Sequence, residues 1–192
     1  VLIISSIVIG LISWIEFYAL ITKIVKKNDT KSQILRFLYK SSSLLYLSLL
    51  VFLVISAKLI NFDLYFALIY SLLVAIMSDI GGLVTGKFFK GKKLSKISPN
   101  KTISGSFGSF VFSLLLVPLF FEFFNNHNVL VIIIFTIIIS LTSQLGDLLI
   151  SLLKRKAKVK DTSDLLPGHG GVLDRIDGII FAIPVGLLIF SI

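Results

Sequence analysis

The chain has 192 residues, of which 56% are hydrophobic, and its mean hydropathy is +1.00. A water-soluble domain of this length is rarely so apolar, because its surface must be wetted. The chain contains no cysteine, which excludes disulfides, thiolate zinc sites and a cysteine nucleophile. The net charge of +9 does not indicate nucleic-acid binding, because the basic residues lie close to the apolar blocks.

Long apolar blocks, each able to cross a bilayer, divide the chain. The first block lacks a basic leading region and a cleavage pattern, so we expect a membrane span rather than a signal peptide. The fold class predicted is an all-α, polytopic transmembrane helical bundle of about six spans. The predicted spans are 1–22, 43–60, 62–84, 105–124, 129–150 and 176–192.

Basic residues are concentrated in three alternate connections of this bundle. The segments 23–42, 85–104 and 151–175 hold 18 of the 19 Lys and Arg residues. Because basic loops stay in the cytoplasm, these three segments are predicted to be cytoplasmic. Both ends of this chain are then on the other side of the membrane.

Three carboxylates inside predicted spans call for an explanation. Asp79 and Asp147 lie near the cytoplasmic ends of spans three and five, and Glu16 lies in span one. An ionisable side chain in a transmembrane helix costs about 2.5–3.5 kcal/mol or more, so such groups are usually functional or paired. For Asp147 the alternative is a buried ion pair with a nearby lysine. For Glu16 a supporting role and a functional role are both left open.

Polar or small residues recur at helical spacing on spans three and five. Each set forms one stripe on an otherwise apolar helix, and together they predict a polar cavity that opens to the cytoplasm. Gly82 and Gly86 also permit close helix contact. The stripes are Ser71, Ala75, Ser78, Asp79, Gly82 and Gly86 on span three, and Ser140, Ser143, Gln144, Asp147, Ser151 and Lys154 on span five.

The segment 151–177 combines carboxylates, glycines and cations. Asp174 and Asp177 share one helix face, either for chemistry or to compensate the helix dipole. Residues 167–171, Pro-Gly-His-Gly-Gly, can wrap backbone N–H groups round an anion or simply make a tight turn. Lys154, Arg155, Lys160 and Arg175 match phosphate oxygens. With oxygen ligands and only His169 nearby, the pattern favours nucleotide chemistry with magnesium over zinc.

This segment resembles the signature of the phosphatidate cytidylyltransferase (CDP-diacylglycerol synthase) family. The residues that fit it are Ser151, Lys154, Arg155, Lys160, Asp161, Ser163, Pro167, His169, Gly170, Gly171, Asp174, Arg175 and Asp177. A second stretch, from Ser78-Asp79 to Lys101-Thr102, is similar to another family region. Two departures occur there, since Ser104 stands where the family usually has Glu, and Gly82 where an aromatic residue often follows. The resemblance covers about 78–192, so we predict N-terminal transmembrane helices over 1–77 and a catalytic region over 78–192.

The resemblance implies transfer of CMP from CTP to phosphatidate, giving CDP-diacylglycerol and pyrophosphate. Magnesium is the expected cofactor, and a second cation is left open. The expected partners are CTP, phosphatidate and membrane lipid, without nucleic acid, and a homodimer is left open. The expected location is a bacterial inner membrane, with the active site facing the cytoplasm. Two other classes are kept as alternatives, a CTP-dependent lipid enzyme of the polyprenol kinase type and a proton-coupled transporter.

The resemblance also implies roles for individual residues. The metal ligands are Asp147 and Asp174, followed by Asp177 and Asp79. The expected catalytic residues are Asp147 and Asp174, Lys154 and Arg175 as phosphate-neutralising cations, and His169. His169 is expected to hold the loop or donate to a phosphate rather than act as a base. The expected substrate-binding residues are Lys87, Ser98, Lys101, Thr102, Arg155, Lys160, Asp161, Gly170 and Gly171.

Overall fold

The computed structural model describes residues 2–26, 29–60, 62–95, 97–124, 127–168 and 170–191. Over these residues β-pairing is limited to two isolated bridges, Lys93 with Thr102 and Leu166 with Gly170. All other regular structure in this part of the chain is helical. The helices are α1 (Leu2–Ile24), α2 (Thr30–Ile60), α3 (Phe62–Phe89), α4 (Ile103–Leu114), α5 (Val117–Phe120), a 3-10 turn (Phe121–Phe124), α6 (Val129–Lys156), α7 (Leu173–Ile176) and α8 (Ile179–Phe190).

The helical, membrane-spanning fold class is confirmed. Five segments are long and apolar enough to cross a membrane: α1, α2, α3, the stretch Ile103–Phe124, and α6. Large apolar side chains on these helices are exposed, for example Leu83 (74%) and Phe88 (81%). Exposure of so much apolar surface to water is unfavourable, whereas the acyl chains of a bilayer can cover it. The chain is therefore an integral membrane protein.

Three predicted boundaries differ from the structure. The predicted span 176–192 corresponds to α8, whose 12 residues rise only about 18 Å. The predicted loop 23–42 is largely helical, because α2 begins at Thr30 and the sequence offers no Gly or Pro to stop it. The predicted span 105–124 is broken after Leu114, because in a continuous helix the ring of Pro118 would clash with the carbonyl four residues earlier.

The described residues form two compact units. The first comprises Val1–Ile55 and Ile150–Ile176, and in it α7 packs against α1. The second comprises Ser56–Leu149 and Asp177–Ile192, and in it α3 packs against α4 and α8. The predicted division at residue 77 concerns function rather than packing, and it stays a prediction.

Glycines let α3 and α4 approach closely within the second unit. A Cβ on Gly82 would lie 2.8 Å from the Ser109 hydroxyl, and one on Gly105 would lie 2.8 Å from the Gly82 carbonyl. A Cβ on Gly86 would meet the Thr102 hydroxyl at 3.0 Å. The close contact predicted for Gly82 and Gly86 is therefore present, and its partner is α4.

Candidate active site

The loop between α6 and α7 turns back on itself before α7 begins. The Leu166 N–H donates to the Gly170 carbonyl at 2.9 Å, which closes a tight turn. Gly168 (φ +73°) and Gly170 (φ +81°) take left-handed conformations that side chains rarely adopt. Of the two interpretations of residues 167–171, the tight turn is thus present, and the anion cradle stays a prediction. His169 lies outside the described residues.

Asp174 is the centre of a hydrogen-bond cluster in the first unit. Its Oδ1 accepts from Lys154 Nζ at 2.7 Å, and the two groups form an ion pair. Its Oδ2 accepts from the backbone N–H groups of Thr162 (2.8 Å) and Gly171 (2.9 Å) and from the Thr162 hydroxyl (2.9 Å). Burial alone would raise the pKa of Asp174, but these donors outweigh burial and hold the pKa below its ordinary value.

Glu16 anchors the same loop from α1, which is the supporting role that the sequence left open, and the functional role stays untested. Its side chain is 4% exposed and accepts four hydrogen bonds. Oε1 accepts from the Ser163 hydroxyl (2.6 Å) and the Val172 N–H (3.0 Å). Oε2 accepts from the Leu173 N–H (2.8 Å) and lies 3.0 Å from the Thr162 hydroxyl, whose single O–H it shares with Asp174. Glu16 therefore supports the signature loop, a partner that the sequence did not reveal.

The glycine at position 171 is required by this packing. A Cβ there would meet the Thr162 hydroxyl and would lie 2.5–2.6 Å from both oxygens of Glu16. At Gly170 a Cβ would lie 2.9 Å from Asp174 Oδ2. The two glycines therefore let the backbone approach carboxylates, and their predicted role in substrate binding stays a prediction.

The other cations of the signature lie on the surface of the first unit. Arg155, Lys160 and Arg175 are exposed, as is the neighbouring Asp161. The backbone of Arg175 is fixed, since its N–H donates to the Val172 carbonyl at 2.9 Å. Their exposure is compatible with the predicted role in binding substrate phosphates.

Asp147, in the second unit, forms an ion pair with Lys101. The ion pair that was the alternative for this carboxylate is therefore present, and the lysine comes from the loop before α4. Neither side chain is fully buried, with 27% exposure for Lys101 and 22% for Asp147. Asp79 is exposed and interacts electrostatically with both groups.

A backbone pairing across the loop 90–102 holds Lys101 in place. The Leu94 N–H donates to the Lys101 carbonyl (2.8 Å), and the Ile103 N–H donates to the Lys92 carbonyl (2.9 Å). The Ser98 carbonyl accepts from the Lys101 N–H at 3.1 Å. A short, paired loop of this kind limits the positions that the Lys101 side chain can reach.

Thr102 has a structural role in addition to the substrate role predicted for it. Its hydroxyl accepts from the Gly105 N–H at 3.0 Å and so caps the N-terminus of α4. Ser104, which replaces the family's usual Glu, lies 3.1 Å from the same hydroxyl. Lys87, at the end of α3, is exposed. The roles predicted for Lys87 and Ser98 in substrate binding stay predictions.

The two polar stripes meet in the second unit. Ser140 on α6 donates to the Ser78 hydroxyl on α3 at 3.0 Å, and both residues are fully buried. Helix α4 adds Ser109, which donates to the Ser78 carbonyl (2.6 Å), and Ser106, which donates to Gln144 (2.5 Å). Each of these hydroxyls therefore has a hydrogen-bond partner on a neighbouring helix, and the predicted cavity between the stripes stays a prediction.

Asp177 belongs to the second unit and is 9% exposed. Its Oδ1 accepts from the Gly178 N–H at 2.9 Å. A Cβ on Gly146 would lie 2.9 Å from the Asp177 carbonyl oxygen, so Asp177 packs beside the residue that precedes Asp147. This position is compatible with a role near Asp147.

The candidate metal ligands fit a hard cation by their chemistry. Carboxylate oxygens are the donors that magnesium prefers. Within the described ranges, however, no three His, Asp or Glu side chains are grouped closely enough to hold an ion by themselves. The ammonium groups of Lys101 and Lys154 neutralise Asp147 and Asp174, so an ion bound to either carboxylate would share it with a lysine or displace that lysine.

Comparisons with known proteins identify relatives of the chain. The model of the cytidylyltransferase family matches residues 2–192. A phosphatidate cytidylyltransferase from Staphylococcus haemolyticus is 44% identical over 121 residues, which are 62% of this chain and 46% of the relative. Proteins of the same name from Staphylococcus aureus and Staphylococcus epidermidis are 44% and 40% identical over equal lengths. The chain spans about half the length of the curated relatives it matches.

Proposed function

The chain belongs to the cytidylyltransferase family, and from this premise we propose that it transfers the cytidylyl group of CTP to phosphatidate. The products are CDP-diacylglycerol and pyrophosphate. The observation that carries the proposal is the hydrogen-bond cluster on Asp174, in which two residues of the signature, Lys154 and Gly171, converge on one carboxylate together with Thr162. Relatives named phosphatidate cytidylyltransferase support the same choice of reaction.

The proposed reaction is an attack of one phosphate on another. A phosphate oxygen of phosphatidate bonds to the α-phosphorus of CTP, and the bond from that phosphorus to the bridging oxygen of the β-phosphate breaks. The electron pair leaves with pyrophosphate. Because the attacking oxygen is already anionic near neutral pH, no strong general base is required. The barrier is mainly the repulsion between two anions, which positive groups reduce.

The cations of the chain are assigned to this neutralisation. Lys154 forms an ion pair with Asp174, and Lys101 forms one with Asp147, so the position of each ammonium group is fixed. The exposed Arg155, Lys160 and Arg175 would contact phosphate oxygens, with Arg preferred where two oxygens are bound at once. Lys87, Ser98 and Thr102 complete the proposed substrate-binding set.

Magnesium is the proposed cofactor. We assign Asp174 in the first unit and Asp147 in the second as carboxylates that bind it, followed by Asp177 and Asp79, with a second cation left open. When bound, magnesium neutralises charge on the triphosphate. A homodimer is left open.

The membrane setting suits a lipid substrate. The acyl tails of phosphatidate stay in the bilayer while its phosphate meets soluble CTP at the membrane surface. We propose the bacterial inner membrane, with the active site on the cytoplasmic side where the basic loops lie. The bacterial relatives support this location.

The position of a label in CTP tests the proposal and separates it from its alternatives. Purified protein is incubated with phosphatidate, magnesium and CTP labelled in either the α- or the γ-phosphate. Cytidylyl transfer moves the α-label into lipid and leaves the γ-label in pyrophosphate. A kinase of the polyprenol type moves the γ-label into an added polyprenol, and a transporter moves neither. An Asp174→Asn variant of unchanged helix content is the control, and absence of α-label from lipid with folded parent protein contradicts the proposal.

A further inference from the structure

A cavity lies between α1 and α2. It measures about 430 Å³, and all the residues that line it belong to the first unit. Helix α1 contributes Trp14 and Tyr18, and α2 contributes Arg36, Phe37, Lys40 and Leu44. None of these residues is assigned to the proposed transfer reaction. We refer to this feature as the α1–α2 cavity.

The charge of this cavity is positive. Arg36 and Lys40 are one helical turn apart, so they share a face of α2, and both are half-buried. Among the residues that the structure describes, every charged one that lines the cavity is a cation. The Lys40 Nζ lies 3.3 Å from the centroid of the Tyr18 ring, a cation–π contact that holds the ammonium at the cavity wall. Trp14 Nε1 donates to the Lys40 carbonyl at 3.4 Å and joins the two helices there.

The position of Lys40 along α2 places the cavity at a membrane surface. Lys40 and Lys58 lie on the same continuous helix, and the 18 residues between these positions rise about 27 Å. The hydrocarbon core of a bilayer is about 30 Å thick. The two lysines therefore mark its two boundaries, and Arg36 lies one turn further into the headgroup region. Trp14 and Tyr18 are of the residue types that favour this boundary.

We propose that the α1–α2 cavity binds the phosphate headgroup of an anionic diacyl phospholipid. Arg36 offers a planar fork to two phosphate oxygens, and Lys40 offers a point charge. One acyl chain then runs past Leu44, which is 43% exposed on the hydrocarbon side. The phosphate is either a monoester, as in phosphatidate, or a diester, as in phosphatidylglycerol. The proposal does not rest on the transfer reaction, because binding needs no turnover.

The single tryptophan of the chain gives a direct readout of binding. Trp14 lies in the cavity wall, so a brominated lipid that occupies the cavity quenches its fluorescence. The protein is placed in vesicles of unlabelled phosphatidylcholine, and brominated phosphatidate, phosphatidylglycerol or phosphatidylcholine is added in increasing mole fraction. We expect half-maximal quenching at a mole fraction at least about tenfold lower for the anionic lipids, since a charge-assisted hydrogen bond contributes this much or more.

Substitutions of Arg36 and Lys40 test whether these two cations cause the preference for anionic lipids. Arg36→Gln with Lys40→Gln should bring the anionic lipids to the level of phosphatidylcholine. Lys58→Gln, which removes the lysine at the other end of the same helix, should leave the preference unchanged. A lower half-point for phosphatidate than for phosphatidylglycerol identifies a monoester site, and equal half-points identify a general anionic-lipid site.

The parent protein alone can overturn the proposal, without any variant. Equal quenching by all three lipids would show that only ordinary surrounding lipid contacts Trp14. An anionic preference that survives the double substitution would likewise exclude Arg36 and Lys40 as the binding groups. Single Lys40→Gln and Arg36→Gln variants, each of which should reduce the anionic preference, provide the comparison if the double variant does not fold.

Discussion

Glu16 and Thr162 are joined by a 3.0 Å hydrogen bond although 146 positions separate them in the chain. The Thr162 hydroxyl also lies 2.9 Å from Asp174 Oδ2, so it stands between two carboxylates. Helix α1 is thereby linked to the loop that carries the family signature. The N-terminal part of the chain, which showed no motif of its own, therefore contributes directly to the order of that loop.

Substitution of Glu16 by Gln should loosen the signature loop. Each Glu16 oxygen accepts one backbone N–H, from Val172 or Leu173, so the amide NH₂ of Gln would face a donor in either orientation. We expect the free energy of unfolding to fall by about 2–4 kcal/mol. Trypsin should cleave faster at Lys158 and Lys160, which is measured by mass spectrometry of timed digests.

Two further variants control this experiment. Glu122→Gln changes an exposed glutamate in the second unit and should leave the digestion pattern unchanged. Thr162→Val removes one donor and should cost less, about 1 kcal/mol. If Glu16→Gln digests at the parent rate, Glu16 does not hold the loop.

Protonation of Asp174 should release the loop at low pH. The folded-state pKa of Asp174 lies below its ordinary value, which is about 3.9 in an unfolded chain. The stabilisation is therefore fully present above that value and is lost as the pH falls through the lower, folded pKa. Pepsin digestion at acidic pH, directed at Leu165 and Leu166, should detect this opening.

An Asp174→Asn variant is the control for the pH experiment. It should be open to pepsin at every acidic pH tested, because its side chain cannot carry the charge that Lys154 pairs with. A parent protein whose loop opens already at about pH 5, well above the ordinary range, would show that the donors do not stabilise the ionised form of Asp174.

Some parts of this structure follow from local sequence and others do not. Apolar blocks correctly predicted the spanning helices, because length and hydropathy decide insertion. The sequence predicts a loop where α2 begins at Thr30, because Lys31, Arg36 and Lys40 are typical of a cytoplasmic loop. A helix nevertheless continues readily into the headgroup region when no Gly or Pro stops it. Span 176–192 was too long, since the apolar run alone does not show that the helix begins only at Ile179.

The candidate site shows the same division. The residues of the signature loop could be named from the sequence, because their spacing is distinctive. The partner of Glu16 could not, since two of its four donors are backbone N–H groups that carry no sequence signal. The sequence offers an ion pair of Asp147 with a nearby lysine, but it does not identify that lysine as Lys101, because the pairing depends on how the loop before α4 meets α6. The only available sign was the cost of an acidic residue in a membrane helix.

Substitution of Asp147 by Asn should stop the proposed reaction without unfolding the protein. The variant loses the charge that pairs with Lys101 and that would bind magnesium. We expect turnover to fall by roughly two to four orders of magnitude, as when electrostatic groups of a transferase site are removed. The measurement is transfer of α-labelled CMP into lipid, with helix content checked by circular dichroism. Asp63→Asn, in the first turn of α3, is the matched control. Near-normal turnover of Asp147→Asn would exclude Asp147 from the site.

The positions of the basic loops predict which residues face the cytoplasm. The natural chain has no cysteine, so a single cysteine can be introduced without removing others. We expect Lys92→Cys to resist a membrane-impermeant thiol reagent in intact cells and to react once the cells are opened. Glu122→Cys, near the connection that lacks Lys and Arg, should react from outside. Labelling of position 92 from outside would reverse the topology.

Arg175 should matter more for turnover than His169. The proposed nucleophile is an ionised phosphate, so loss of a base should be less damaging than loss of a phosphate-neutralising cation. Arg175 is exposed beside Asp174, and the adjacent loop fixes its backbone. Each charge-assisted contact to phosphate contributes about 1.5–3 kcal/mol, and more when it acts mainly on the transition state. We expect Arg175→Ala to be more damaging than His169→Gln.

The conservative variant and the pH profile decide this comparison. Arg175→Lys should restore activity only in part, because Lys keeps the charge but lacks the planar fork. His169→Gln should keep a measurable rate and the shape of the parent pH profile. The reading is reversed if His169→Gln abolishes turnover and the parent activity rises with one ionisation near the ordinary histidine pKa of about 6.5 that the substrate phosphate does not explain. In that case His169 acts as a base, and proton removal has to be added to the mechanism.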